Sequence, residues 1–182
     1  MDRFDLIRAI EYYTTPYKEE ASFIPRFKSL LTNFTNCYHR SLLSGHITAS
    51  AWIVNDTGTS TLLIHHKKLD RWLQPGGHAD GDENVLLVAA KEAEEETGLK
   101  LLKLHNNRIF DLDIHLIPKH KGINAHFHYD VRFLFIADQQ EYYTINHESN
   151  EIAWIPFESI GVLVGNNQSI QRMVLKTQSI FK

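Results

Sequence analysis

Along residues 1–44 the apolar positions recur at helical spacing. Leu6, Ile7 and Ile10 form one stripe, the Pro16 region interrupts it, and Phe23, Phe27, Leu30, Leu31 and Phe34 form a second. Pro25 fits that second helix if it starts near Ser22, because a proline in the first turn removes no intrahelical hydrogen bond. From Ile47 the period shortens. Residues 47–54 and 60–64 read as strands joined by Asn55-Asp56-Thr57-Gly58-Thr59, a hairpin turn signal. A glycine-rich loop, Pro75-Gly76-Gly77, leads into a helix over 83–97 that Gly98 stops. Residues 99–104 read as a further strand. Residues 111–117 and 125–136 alternate as an antiparallel pair around 118–124, 151–155 reads as a last strand, and 169–181 as a closing helix. Strands on both sides of a helix predict an α/β (α+β) fold, a mixed sheet sandwiched by helices. Residues 1–44 form a helical N-terminal extension and residues 45–182 the main domain.

Composition narrows the class. With 182 residues, 43% hydrophobic and 23% charged, the chain suits one globular domain with a small appendage. The single cysteine, Cys37, excludes a disulfide framework and a multi-cysteine zinc site, and fits a reducing compartment. It follows the second helical stripe and reads as a small core residue. No apolar run reaches the 18 residues of a membrane span, and Met1-Asp2-Arg3-Phe4-Asp5 is charged where a signal peptide is apolar. The expectation is a soluble cytoplasmic protein without a membrane partner. A pI near 6.4 gives no support to a basic nucleic-acid surface, so no stable nucleic-acid binding is expected.

The net charge of −3 conceals an uneven distribution. Residues 80–96 hold Asp80, Asp82, Glu83, Glu92, Glu94, Glu95 and Glu96 against Lys91 alone. On a helical wheel Val85, Leu86, Ala89, Ala90 and Ala93 define a buried stripe. Glu92, Glu95 and Glu96 stand at i, i+3 and i+4 along its edge, while Glu94 points elsewhere. Three adjacent carboxylates at a core boundary are costly unless a hard cation neutralises them, and an oxygen-only donor set suits Mg²⁺ or Mn²⁺. A solvated acidic face is the bland alternative.

The full spacing argues against that alternative. Gly77 is followed after five residues by Glu83, and after seven more by Lys91-Glu92. Ala93, Glu95-Glu96 and Gly98-Leu99 complete the pattern. This resembles the Nudix box, and a chance match at one start point is on the order of 10⁻⁸ at average residue frequencies. The one departure is Lys91, where the family usually has arginine; lysine steers a neighbouring glutamate only as a point charge. The resemblance covers the 23-residue box and extends to the flanking strands, but not to the first 44 residues.

The resemblance implies a Nudix-like α/β/α sandwich and an Mg²⁺-dependent hydrolase, with Mn²⁺ as the other acceptable ion. Such an enzyme cleaves the diphosphate linkage of a nucleoside diphosphate joined to another moiety. Glu92, Glu95 and Glu96 become metal-binding or water-activating carboxylates, the Gly76 carbonyl a further metal ligand, and Glu83 and Lys91 orienting groups. Clustered carboxylates raise one another's pKa, which leaves one available as a base. Family members often take a base or extra ligand from a loop before the last strand, where Glu148 and Glu151 lie. The implied partner is a nucleotide-derived small molecule, with a homodimer the assembly considered. Two rival readings stay open: a non-catalytic ligand-binding or regulatory Nudix domain, and a Nudix-fold isomerase acting on a small diphosphate. That isomerase class uses a core cysteine with no counterpart here.

Two further patterns carry chemistry. Asp111, Asp113 and His115 alternate with apolar residues, and so do His126, His128, Asp130 and Arg132, opposite an aromatic face expected to be the core side. The polar side reads as a hydrogen-bonded sheet face, as a substrate-pocket wall using His126, His128 and Arg132, or as a second, histidine-ligated metal site. His65-His66-Lys67-Lys68 at a strand end either attracts substrate phosphates through His65 and His66 or is a solvated hairpin tip.

Overall fold

The computed structural model describes residues 1–119 and 122–182; the connection anticipated over 118–124 includes His120 and Lys121, which lie outside the described residues. In chain order the elements are α1 (Arg3–Glu11), α2 (Lys18–Asn33), β1 (Gly45–Asn55), β2 (Ser60–His66), β3 (Arg71–Leu73) and β4 (Gly76–His78). They continue with α3 (Val85–Thr97), β5 (Lys103–Leu104), β6 (Asp111–Ile117), β7 (His126–Ala137), β8 (Ser149–Pro156), α4 (Phe157–Val164) and α5 (Gln168–Ile180). Strand pairing runs β3-β2-β1-β7-β5, with β4 on β1, β6 on β7 and β8 on β2. Two compact units form: Met1–Ser50, Gly77–Ala89 and Asn107–Phe133 in the first; Ala51–Gly76, Ala90–Asn106 and Leu134–Lys182 in the second.

In the first unit α2 starts at Lys18 rather than near Ser22, which leaves Pro25 inside the helix. An interior proline costs about 3 kcal/mol. Phe23, Phe27, Leu30 and Leu31 are all buried, and at roughly 1.5–3 kcal/mol each their burial exceeds that cost. The helix also carries Glu20, which is wholly buried. Its carboxylate accepts the Leu112 amide of β6 at 2.9 Å, the Tyr13 hydroxyl at 2.5 Å and the Thr15 hydroxyl. These three donors satisfy a charge that would otherwise be prohibitive in the core.

β6 and β7 pair antiparallel with Asp111 opposite Arg132, Asp113 opposite Asp130 and His115 opposite His128. The polar faces therefore meet, as the alternation anticipates. The apolar side packs into the core as expected, with Leu112, Ile114, Val131 and Phe133 buried, but the polar side is covered as well. Asp111, Asp113, Asp130 and Arg132 are buried, while Leu116 of the apolar register is exposed. Ion pairing among the four is what allows their burial.

In the second unit the strand half of β1 packs Trp52, Ile53 and Val54 fully inside, beside Leu62, Leu63 and Ile64 of β2. Continuous burial on both faces explains the weak alternation of β1. The Trp52 indole N–H donates to Thr177 of α5 at 2.9 Å, so the largest core side chain leaves no unmet donor. The hairpin turn closes because the Asn55 carboxamide oxygen accepts the amides of Thr59 and Ser60. Gly58 there has φ +64°, and a Cβ would meet the Phe181 ring at 2.3 Å.

Other elements also differ from the sequence expectation, among them the short strand β4 over part of the expected glycine-rich loop. Helix α3 begins at Val85, not 83, because the side chains of Asp82 and Asn84 take the amides of Asn84 and Leu87. The strand expected over 99–104 shrinks to Lys103–Leu104, since the Glu141 carboxylate captures the amides of Lys100 and Leu101. The unanticipated α4 contains Gly161 and the almost fully exposed Val162, which blur its helical period.

Candidate active site

The second unit holds the C-terminal half of α3, and with it Glu92, Glu95 and Glu96. Glu96 lies against the glycine loop: its Oε2 accepts the Gly76 amide at 2.8 Å. Only 7% of Glu96 is exposed. Burial pushes its pKa from 4.5 up to about 7; the Gly76 hydrogen bond opposes this, and the charges of Glu92, Glu148 and Glu95 add to it. Gly98, at φ +76°, ends the helix against Thr144, whose oxygen a Cβ would meet at 2.3 Å. That stop holds the carboxylate turn at a fixed place on the helix.

The neighbouring acids diverge to separate partners. Glu95 lies 3.6 Å from Lys91 one turn back, and Glu94 pairs with Lys100 on the exposed side, as the wheel predicts. Lys91 is 69% exposed and Glu95 57%. An exposed pair at i, i+4 contributes about 0.3–0.5 kcal/mol. Lys91→Ala is therefore expected to shift the urea midpoint by no more than that energy, while any larger fall in turnover reports the loss of a cation beside Glu95.

The loop before β8 enters through the β2–β8 pairing. The Lys67 amide donates to the Glu148 carbonyl at 2.9 Å, and His65 stands opposite Glu151 in register. Glu148 is half-buried and its charge acts on Glu96; Glu151 is exposed. His65 lies 3.2 Å from Asp70 with its ring tilted 5.2 Å from that of Trp72, while His66 Nδ1 accepts the amides of Lys68 and Leu69 and so shapes the hairpin tip.

Glu83 lies in the first unit, 3.7 Å from Arg3 at the start of α1. Arg3 also donates to the Leu31, Phe34 and Thr35 carbonyls at the end of α2. No local spacing joins residues 3 and 83, so this partner was not readable from the box.

The polar strands of the first unit separate into two groups. Arg132 lies 2.8 Å from Asp130, 3.1 Å from Asp111 and 3.2 Å from Asp113. Asp130 also accepts the hydroxyls of Thr48 and Ser50. Burial works against the Arg132 charge, but Asp113, Asp130 and Asp111 hold the guanidinium above its ordinary pKa. The second group is five histidines. His46 of β1, His78 of β4 and His128 of β7 have ring centroids 4.9–5.2 Å apart, and His126 and His115 flank His128 at 5.3 and 5.4 Å. Burial lowers the pKa of all three central rings, with His78 down to about 4. His46 and His78 were not singled out from the sequence; they come from strands that the alternation of 111–136 does not reach.

A family model, the NUDIX domain, matches residues 45–177. The chain belongs to the Nudix family. Its mixed sheet with flanking helices is the Nudix fold, and it is a Nudix pyrophosphohydrolase. A Caenorhabditis elegans Ap4A hydrolase complex superposes with TM-score 0.59 at 18% identity, over 74% of this chain and 96% of that one. The Escherichia coli dihydroneopterin triphosphate pyrophosphohydrolase gives 0.58 at 14% identity, over 73% and 95%. A MutT protein from Methanosarcina mazei gives 0.57 at 18%, over 78% and 98%. At these identities the likenesses show the Nudix fold alone. No curated protein matches the chain. No helix among the described residues is long and apolar enough to cross a membrane.

Proposed function

We propose that the chain hydrolyses the diphosphate linkage of a nucleoside diphosphate joined to another moiety, in the presence of Mg²⁺ or Mn²⁺. The observation that supports this most is Glu96, buried against Gly76 within the charge of three further carboxylates. Such a group is poised to accept a proton near neutral pH, as activation of an attacking water requires. The donors on α3 and the glycine loop are hard oxygens, the set that fits Mg²⁺. Glu92, Glu95, Glu96 and the Gly76 carbonyl would hold the ion, whose charge stabilises the developing phosphate negative charge. Lys91 would keep Glu95 in place, and Glu148 would supply the additional acid from the loop before β8. Arg3, from the extension formed by residues 1–44, would orient Glu83. We place the activity in the cytoplasm on the strength of the one free thiol.

The isomerase reading loses support from Cys37. It is fully buried, and burial raises the pKa of its thiol.

The test is product analysis in ¹⁸O-water with a panel of nucleoside diphosphate conjugates and Mg²⁺. A labelled phosphate product is expected. Glu148→Gln should lower kcat about tenfold or more, with Glu151→Gln within about twofold of wild type, following the loss of a positioned acid–base group. No turnover across the panel, or a larger effect at Glu151, contradicts the reading.

A further inference from the structure

We propose that His46, His78 and His128 form a binding site for a divalent transition metal ion, of which Zn²⁺ is the best match. All three lie within the first unit. Each offers a ring nitrogen, and these nitrogens all fall within 4.8 Å of one another; the trio is the group among the described residues that meets this condition.

Two of these histidines also carry an unmet ring nitrogen. His46 Nε2 and His128 Nε2 are buried and have no hydrogen-bond partner among the described residues. A buried polar atom left unmet costs about 1–3 kcal/mol, and two such atoms on rings 4.9 Å apart fit a shared electrophile. The opposite nitrogen of His46 lies 3.4 Å from the Leu42 carbonyl. That contact favours a proton on Nδ1 and leaves the Nε2 lone pair for ligation, the usual support for a metal-bound imidazole. His46 is 2% exposed.

The donor set selects the ion. Imidazole nitrogens suit Zn²⁺, Cu²⁺, Ni²⁺ and Fe²⁺, whereas Mg²⁺ prefers oxygen. Three protein nitrogens leave a fourth tetrahedral position for water. Tetrahedral Zn²⁺ at 2.0–2.1 Å holds its nitrogens about 3.4 Å apart, so binding draws the rings inward by side-chain rotation. His126 and His115 sit at the rim, with their own Nδ1 atoms 2.9 Å from the Asn124 carbonyl and 3.0 Å from Asp113.

Cobalt spectroscopy tests this on the full chain without an affinity tag. Co²⁺ is titrated in excess Mg²⁺, which saturates oxygen sites but competes poorly for imidazole. The expected result is a visible d–d absorption reaching a plateau at one ion per chain and abolished by one equivalent of Zn²⁺. His128→Gln and His46→Gln should each weaken Zn²⁺ binding about 100-fold or more, and His65→Gln should leave it unchanged. His78→Gln alters a half-exposed position, and circular dichroism confirms that each variant is folded. Zn²⁺ should also raise the wild-type Tm but not that of His78→Gln. The proposal is overturned if the folded wild type takes up no Co²⁺ or Zn²⁺ under Mg²⁺. Uptake that survives in folded His78→Gln and His128→Gln overturns it equally.

Discussion

Glu96→Gln is expected to lower turnover about a thousandfold while making the ion-free protein more stable at pH 8. The activity loss follows from removing the charge proposed to hold the ion or accept a proton, an effect of the size seen when one preorganised electrostatic group is deleted. The stability gain follows from linkage. Below pH 4.5 folded and unfolded chains both carry the Glu96 proton, and the group contributes nothing. Between 4.5 and about 7 the unfolded chain releases it first, so folding stability declines as pH rises; above 7 the decline is complete. The accumulated penalty is on the order of 1–3 kcal/mol. Glutamine keeps an oxygen for the Gly76 amide and never ionises, so it escapes the penalty. Urea unfolding in chelator at pH 4 and pH 8 should show equal stabilities at the first and a more stable variant at the second. Wild-type turnover in Glu96→Gln, or no difference at pH 8, contradicts the assignment.

The second large effect is expected at Arg132. Replacing it with methionine leaves Asp111, Asp113 and Asp130 facing one another in a buried site with their shared cation gone. Breaking a buried ion cluster in this way costs about 3–5 kcal/mol, a large part of the 5–15 kcal/mol that holds a typical domain folded. Asp111→Asn with Asp130→Asn in the methionine background should recover part of the loss by removing the repulsion. Urea midpoints measured beside kcat/KM distinguish this from a substrate role. A variant that melts like wild type but binds substrate weakly would place Arg132 in the pocket wall.

The contrast between these two residues shows what a sequence can display. The proposed carboxylate site is written in one stretch, since i, i+3 and i+4 on a helix are neighbours whatever surrounds them. The hydrogen bond that brings Glu96 to Gly76 lies outside that stretch and comes from the structure. Arg132 and His128 are equally visible as alternating polar positions, but alternation assigns a side of the sheet without saying whether that side is covered. Whether Arg132 meets phosphate or three aspartates depends on strand register and on Thr48 and Ser50, eighty residues earlier. The histidine trio needs three strands to be assembled before it exists at all. Pro25 misled for an energetic reason: a local rule placed the helix start, and burial of the distant apolar face outweighed it.

The carboxylate of Glu20 on the Leu112 amide has a consequence for solubility. β6 pairs with β7 along one side. On the other, a side chain from α2 occupies a backbone donor that a foreign strand would need. An unprotected edge of this kind is a template for intermolecular sheet growth. Residues 1–44 thus act on β6 as a guard against strand addition, and a fragment cut at residue 45, where the family match begins, carries that edge bare into solution. Its hazard would be aggregation, independent of how well the proposed catalytic carboxylates are preserved.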